Sequence, residues 1–243
     1  MNAVFISDLH LNPNEIQITN RFYSFIEWAA QNTKQLYILG DFLHVWPGDD
    51  ALDDWSLGIV GRLFWLSQQG VQVYFMPGNR DFLIGDLFIK LSGMQRLNDP
   101  AVIQLGTEKF LLAHGDQYCT HDRSHQYLRG LTRNHIFPWF FLKLPLWIRK
   151  FCVSSLRQHS QNNRKKTIKK LSLNASAMLL DMSRQSVKKI IHGHTHQYGI
   201  HTHKYKKQTY QQYILSDWDH EPHLLCYNRA EALEYIHYFN DCK

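Results

Sequence analysis

The chain has 243 residues, long enough to bury a core as one large domain or as a domain carrying an insertion. With 44% hydrophobic and 20% charged residues it is too apolar for a disordered chain, and its formal net charge of +6 favours acidic partners: nucleic acid, anionic lipid or a phosphorylated substrate. Cys119, Cys152, Cys226 and Cys242 stand far apart with no CxxC pair, which argues against a thiolate zinc site or a disulfide framework and fits a reducing cytoplasm.

Ala3 to Ile6 reads as a first strand. The opening MNAVFISDLH reaches an Asp and a His before the apolar segment of a signal peptide could develop, so export is not expected. Nothing approaches the ~20 apolar residues of a membrane span, so any membrane contact would be peripheral. Thr19 is a candidate cap for a helix with Phe22, Phe25, Ile26 and Ala29 on one face. Leu36 to Leu39 predicts a strand, Leu57 to Leu66 a helix, and Val71 to Met76 a strand closed by Pro77 and Gly78. This βαβαβ rhythm indicates an α/β protein with a largely parallel sheet and helices packed on it. Phe110 to Ala113 gives another strand, ending at His114.

Residues 119–186 break the rhythm with mostly helical sequence, predicted as a cap inserted between core segments 1–118 and 187–243. Its first part, NHIFPWFFLKLPLWIRKF, is rich in aromatic and aliphatic residues and broken by Pro138 and Pro145; its second, RQHSQNNRKKTIKK, is basic. Strands resume at Lys189 to Ile191, and QTYQQYIL, LLCY and ALEYIHYF predict a closing antiparallel sheet.

Polar groups recur at the strand ends. Asp8 and His10 follow the first, Asp41 the second and Asn79 the third; His114 follows the next, and His194 and His196 the strand after the insertion. Open α/β sheets place their sites at such carboxyl ends. Carboxylates, imidazoles and one amide oxygen form a mixed N/O donor set suited to Mn²⁺, Fe²⁺ or Zn²⁺. Two such ions about 3.5–4 Å apart act on phosphate esters by activating water and clamping phosphoryl oxygens. Asp41 is the candidate bridge. A lone DxH is more often a capping Asp beside an unrelated His, and an HxHxH run can be a surface cluster. It is the ordered set, each member after a strand, that points to a site.

DLH, GDF, GNRD, HGD and GHTH together resemble the motifs of the calcineurin-like metallophosphoesterases. The resemblance runs from Asp8 to His196 apart from the insertion, and implies two sheets packed face to face with helices outside. It also implies that Asp8, His10, Asp41 and His196 hold one metal while Asp41, Asn79, His114 and His194 hold the other.

Many of these enzymes carry a proton-donating histidine after that asparagine, where this chain has Arg80. A guanidinium stays protonated, but it binds phosphate oxygens bidentately and stabilises charge developing on them. That suits a leaving group that is itself a phosphate, whose second pKa of about 6 lets it depart without a proton. Arg80 therefore points to a pyrophosphate diester; the alternative is a surface arginine paired with Asp81.

GNRDFLIG, with WPGDD and AHGDQYCTHD, resembles one branch of the family, the UDP-2,3-diacylglucosamine hydrolases of lipid A biosynthesis. That resemblance implies hydrolysis at the phosphorus next to uridine, giving UMP and 2,3-diacylglucosamine 1-phosphate, with Mn²⁺ the expected metal at two ions per chain. It further implies substrate contacts from Asn79, Arg80, Asp122, Ser160, Asn163, Lys166 and His194, with Ser160, Asn163 and Lys166 of the basic segment placed to within about one residue. IFPWFFLKLPLW could line an acyl trench, pack a helical hairpin's own core, or both. The cationic face could be merely solvated or could attract anionic headgroups at the cytoplasmic face of the inner membrane. No nucleic-acid or protein partner is expected. Rival readings are a nucleotide or nucleic-acid phosphodiesterase of the same fold, which needs no acyl trench, and a scaffold that has lost its metals. Ser216, where the family often has glycine, questions a local turn, and His44 could be only a surface residue.

Overall fold

The computed structural model describes residues 1–134, 136–162, 173–219 and 222–238, with the backbone alone over 156–162. Strand β1 (Ala3–Ile6) leads through α1 (Ile16–Asn32) to β2 (Gln35–Leu39), then α2 (Asp54–Gln68), β3 (Gln72–Met76) and α3 (Asp86–Ser92). Strands β4 (Gln95–Arg96), β5 (Ala101–Leu105) and β6 (Glu108–Ala113) precede helices α4 (Arg123–Thr132), α5 (Ile136–Phe141), α6 (Leu146–Asn162) and α7 (Ala175–Arg184). The remaining strands are β7 (Lys189–His192), β8 (Gly199–Tyr205), β9 (Gln208–Ile214), β10 (His223–Tyr227) and β11 (Leu233–His237).

Period-two side-chain alternation explains the layering. In β1, Val4 and Ile6 face α1 and α2 while Ala3 and Phe5 face the opposite sheet; in β2, Leu36 and Ile38 divide from Tyr37 and Leu39 in the same way. Two sheets result, ordered β11-β10-β1-β2-β3-β4 and β5-β6-β7-β9-β8. Phe5, Leu39, Met76, Phe110, Leu112 and Ile191 fill the space between them. On the outer face of the second sheet, Met178 and Met182 of α7 cover Leu111 and Ile190.

Two local expectations change. Thr19 lies inside α1, its hydroxyl donating to Glu15 O at 3.2 Å, because the Asn12–Asn14 turn starts the helix earlier. The last strands form no single antiparallel sheet: β8 and β9 make a hairpin that joins the second sheet beside β7, whereas β10 takes the open edge of β1. The parallel register β1–β2–β3 in one sheet and β6–β7–β9 in the other brings their carboxyl ends to one edge of the sandwich.

Phe5 is fully buried between the sheets, stacked on Tyr37 with centroids 4.9 Å apart. Phe5→Ala is expected to cost about 3–5 kcal/mol of unfolding free energy, read from the urea midpoint.

Candidate metal centre

Backbone pairing continues past the strands. Asp8 N–H donates to Gly40 O at 3.1 Å, His10 N–H to Asp41 O at 2.9 Å and His44 N–H to Leu11 O at 2.9 Å, zipping the loops after β1 and β2 together. In the second sheet Gly193 N–H donates to His114 O at 3.0 Å and Leu215 N–H to His192 O at 2.8 Å. Asp8, His10, Asp41, His194 and His196 all have positive φ, between 51° and 69°. Such left-handed backbone costs about 1–3 kcal/mol per non-glycine residue and concentrates at functional sites. Here it turns each side chain away from the strand direction into a common space.

Asp8 is held through one oxygen. Its Oδ2 accepts from Ser7 Oγ at 2.6 Å and from the His194 N–H at 2.8 Å, while Oδ1 lies 3.5 Å from His196 Nε2. His196 donates from Nδ1 to Asp217 at 3.1 Å, which leaves Nε2 to face inward. His114 repeats this logic: Nδ1 donates to Leu39 O at 3.0 Å and Nε2 sits 3.0 Å from Asn79 Oδ1. The Asp41 oxygens divide, Oδ2 standing 3.9 Å from His10 Nδ1 and Oδ1 standing 3.6 Å from His114 Nε2.

Ligand atoms of Asp8, His10 and His196 lie within 4.8 Å of one another, and so do those of Asp8, Asp41 and His114. Asp8 belongs to both groups. His194 brings its ring to 5.0 Å from that of His114, centroid to centroid, and to 5.6 Å from His125. Among the described residues, Asp8 Oδ1 and both ring nitrogens of His10 are buried without a hydrogen-bond partner. Buried polar atoms are costly in that state, and a divalent cation would satisfy Asp8 Oδ1 together with one nitrogen of His10.

The electrostatics ask for positive charge. Burial disfavours a charged His114, yet the carboxylates of Asp41, Asp116, Asp8 and Asp99 push its pKa up to about 9. Burial likewise opposes protonation of His196, but Asp217 and Asp8 raise it to about 10. The carboxylates thus favour a proton on His114 and His196, where ions would supply the charge, while burial pushes His10 and His194 down. Burial also pushes the Asp41 carboxyl up, against the pull of His114 and Arg80.

Arg80 does not pair with Asp81. Its Nε lies 3.2 Å from Asp41 Oδ2, its backbone N–H donates to Asp41 Oδ1 at 3.0 Å, and its Nη1 is 3.4 Å from His44 Nδ1. His44 is therefore no surface residue; it is buried beside His10. Asp81 instead accepts from the N–H groups of Gly78 at 2.6 Å and Phe42 at 2.7 Å, joining two ligand loops. Ser216 is not among the residues with positive φ, so the turn before Asp217 needs no glycine.

Asp122 caps α4, accepting from His125 N–H at 3.1 Å. Asn163 and Lys166 lie outside the described residues, and Ser160 is described only in its backbone. Sequence reasoning missed Asp81, Asp99, Asp116 and Asp217 as supports. Two of these, Asp81 in NRD and Asp116 in HGD, stand two residues after a candidate ligand, a signal too common to use alone.

Gly78 fixes the approach of two loops: a Cβ there would collide with the backbone N and Oδ1 of Asp41. Gly78→Ala is expected to weaken divalent-ion binding at least about tenfold in a calorimetric titration. Gly61→Ala, where a Cβ meets nothing within 4 Å, should leave binding unchanged.

Residues 1–198 match the family model for calcineurin-like phosphoesterases. The chain is 39% identical over 222 residues to a UDP-2,3-diacylglucosamine hydrolase of Pseudomonas paraeruginosa, covering 91% of this chain and 92% of that protein. A protein of the same name from Pseudomonas putida is 39% identical over 217 residues, 89% of this chain and 90% of that protein. Among solved structures, an archaeal phosphodiesterase aligns over 98% of this chain and 99% of its own at 13% identity and a TM-score of 0.44.

Proposed function

The chain belongs to the calcineurin-like phosphoesterase family, and on that premise we propose that it hydrolyses the pyrophosphate of UDP-2,3-diacylglucosamine to UMP and 2,3-diacylglucosamine 1-phosphate in lipid A biosynthesis, with two Mn²⁺ ions as cofactor. The substrate is that named for its relatives. The observation that carries the reading is Arg80, a guanidinium fixed on the Asp41 carboxylate at a centre where a proton donor would serve an alkoxide leaving group.

Asp8, His10, Asp41 and His196 would hold one ion, and Asp41, Asn79, His114 and His194 the other. Bound divalent ions supply Lewis acidity to phosphoryl oxygens and lower the pKa of a water that attacks phosphorus. The chain's own part is orientation and charge. Asp217 and Leu39 O fix the tautomers of His196 and His114, so that Nε2 of each faces the centre. Arg80 has five N–H donors, of which the Asp41 and His44 contacts take two. Its fork neutralises charge that builds up on the bridging and leaving phosphoryl oxygens. Attack next to uridine makes the lipid phosphate the leaving group, and with a second pKa of about 6 it leaves as an anion.

Helices of segment 119–186 supply the apolar contacts. Neither α4 nor α5 buries a residue, and Ile136, Trp139, Phe140, Trp147 and Phe151 are exposed. This favours the acyl trench over a self-packed hairpin, since each methylene covered contributes about 0.8 kcal/mol. Asp122, Ser160, Asn163 and Lys166 would meet the sugar and phosphate groups. Lys143, stacked 3.4 Å from the Trp139 ring centroid, and Lys150 flank the same aromatics. Apolar and cationic groups side by side support peripheral attachment at the cytoplasmic face of the inner membrane, at roughly 1 kcal/mol per lysine near an anionic surface. No helix among the described residues is long and apolar enough to cross a membrane.

Turnover of UDP-2,3-diacylglucosamine with Mn²⁺ in ¹⁸O-labelled water is expected to put the label in UMP, followed by mass spectrometry of both products. Label in the lipid phosphate, or turnover of simple nucleotide diesters alone, would contradict the substrate and the role of Arg80. Arg80→Ala should lower kcat at least about tenfold through lost charge stabilisation, and an unchanged rate would remove that role.

A further inference from the structure

Behind the metal centre lie four charged side chains that the ligand set does not include. The carboxylates of Asp99 and Asp116 are 2% and 0% exposed and face Arg129 of α4 and Arg133 at its C-cap. Arg129 donates from Nε to Asp116 Oδ1 at 3.0 Å, and from Nη2 to Asp99 Oδ2 at 2.8 Å and Gln117 Oε1 at 3.0 Å. Arg133 brings Nη2 to 3.4 Å from the same Asp99 oxygen and donates to Pro77 O at 2.9 Å. The other Asp99 oxygen, Oδ1, accepts the His114 N–H at 3.0 Å.

Every one of these contacts ends on a ligand loop. Asp99 holds the backbone of His114, Asp116 follows His114 by two residues, and Pro77 precedes Asn79 by two. His114 Nε2 and Asn79 Oδ1 are the two donors that meet at 3.0 Å. The arginines stand four residues apart on one helix face, so α4 spans both loops as a strut. Their charge is required as well as their reach, because a buried carboxylate stripped of its partner is strongly destabilising to whatever it supports. The other half of the centre is held differently: Asp8 by Ser7 and the His194 N–H, and His196 by Asp217.

We propose that Arg129 and Arg133 are positioning residues for the half of the metal centre formed by Asn79 and His114, reaching in from segment 119–186 to set the spacing of those two loops. The proposal rests on the reading of Asn79 and His114 as metal ligands. It assigns one of two ion sites, rather than both, to the control of α4.

The full chain, stripped with a chelator, is titrated with Mn²⁺ by calorimetry beside Arg129→Lys, Arg133→Lys and Arg133→Ala. Lysine keeps the charge and loses the planar fork, so it tests geometry without the risk of unfolding that alanine carries. The expected result is one ion bound as in the unsubstituted chain and one bound at least about tenfold more weakly, with far-UV circular dichroism unchanged. Two ions bound with unchanged affinity in the lysine variants would overturn the proposal alone, as would equal weakening of both sites with the fold intact. An unsubstituted chain that binds fewer than two ions would overturn the ligand reading beneath it.

Discussion

Asp41 is a buried carboxylate on which both halves of the site converge. Its oxygens face His10 on one side and His114 on the other, and it takes the backbone N–H and the guanidinium of Arg80. A carboxylate removed from water is expensive unless charge and hydrogen bonds surround it. The loops after β1, β3 and β6 are arranged to supply them, and the collisions that any side chain at Gly78 would cause show how little slack that arrangement has. Divalent ions would complete the demand for positive charge that holds the pKa of His114 and His196 up.

Segment 119–186 is fixed at both flanks of this centre by arginines. On one side Arg129 and Arg133 of α4 reach Asp99, Asp116 and Pro77 O; on the other, buried Arg149 of α6 bonds Pro47 O at 2.6 Å and the Asp50 carboxylate. The neighbouring Trp46 N–H donates to Arg80 O at 3.3 Å, so the second anchor lies one residue from the loop that carries the proposed charge stabiliser. Asp49 of the same WPGDD stretch accepts from Trp46 Nε1, Gly85 N–H and Phe88 N–H, tying this loop to α3. Polar anchors of this kind leave the aromatic faces of α5 and α6 outward, where they can meet an acyl chain or a lipid surface instead of one another.

The strands of the first half and the candidate ligands at their ends were legible because each apolar run stops at a residue with only polar work to do. DLH, GDF, GNRD and GHTH each carry that signature within a few positions of a strand. Long-range pairing was not legible. Nothing near QTYQQYIL says that it joins β7 while LLCY joins β1; β4 has only two residues, and β5, AVIQL, is apolar at four of its five positions and so shows no alternation in sequence. The supports were hidden for the same reason: Asp81 spans to Phe42, and Arg129 to Asp99, partners separated by dozens of residues. His44 read as a surface residue because its burial depends on Arg80 and His10 folding around it.

The proposed reaction requires that one carboxylate, Asp41, join two ions. Electron paramagnetic resonance of the full chain loaded with two equivalents of Mn²⁺ tests it directly. The account predicts the hyperfine pattern of an exchange-coupled pair, lost in Asp41→Ala. A spectrum of isolated Mn²⁺ ions at full loading, or coupling that survives Asp41→Ala, would contradict it.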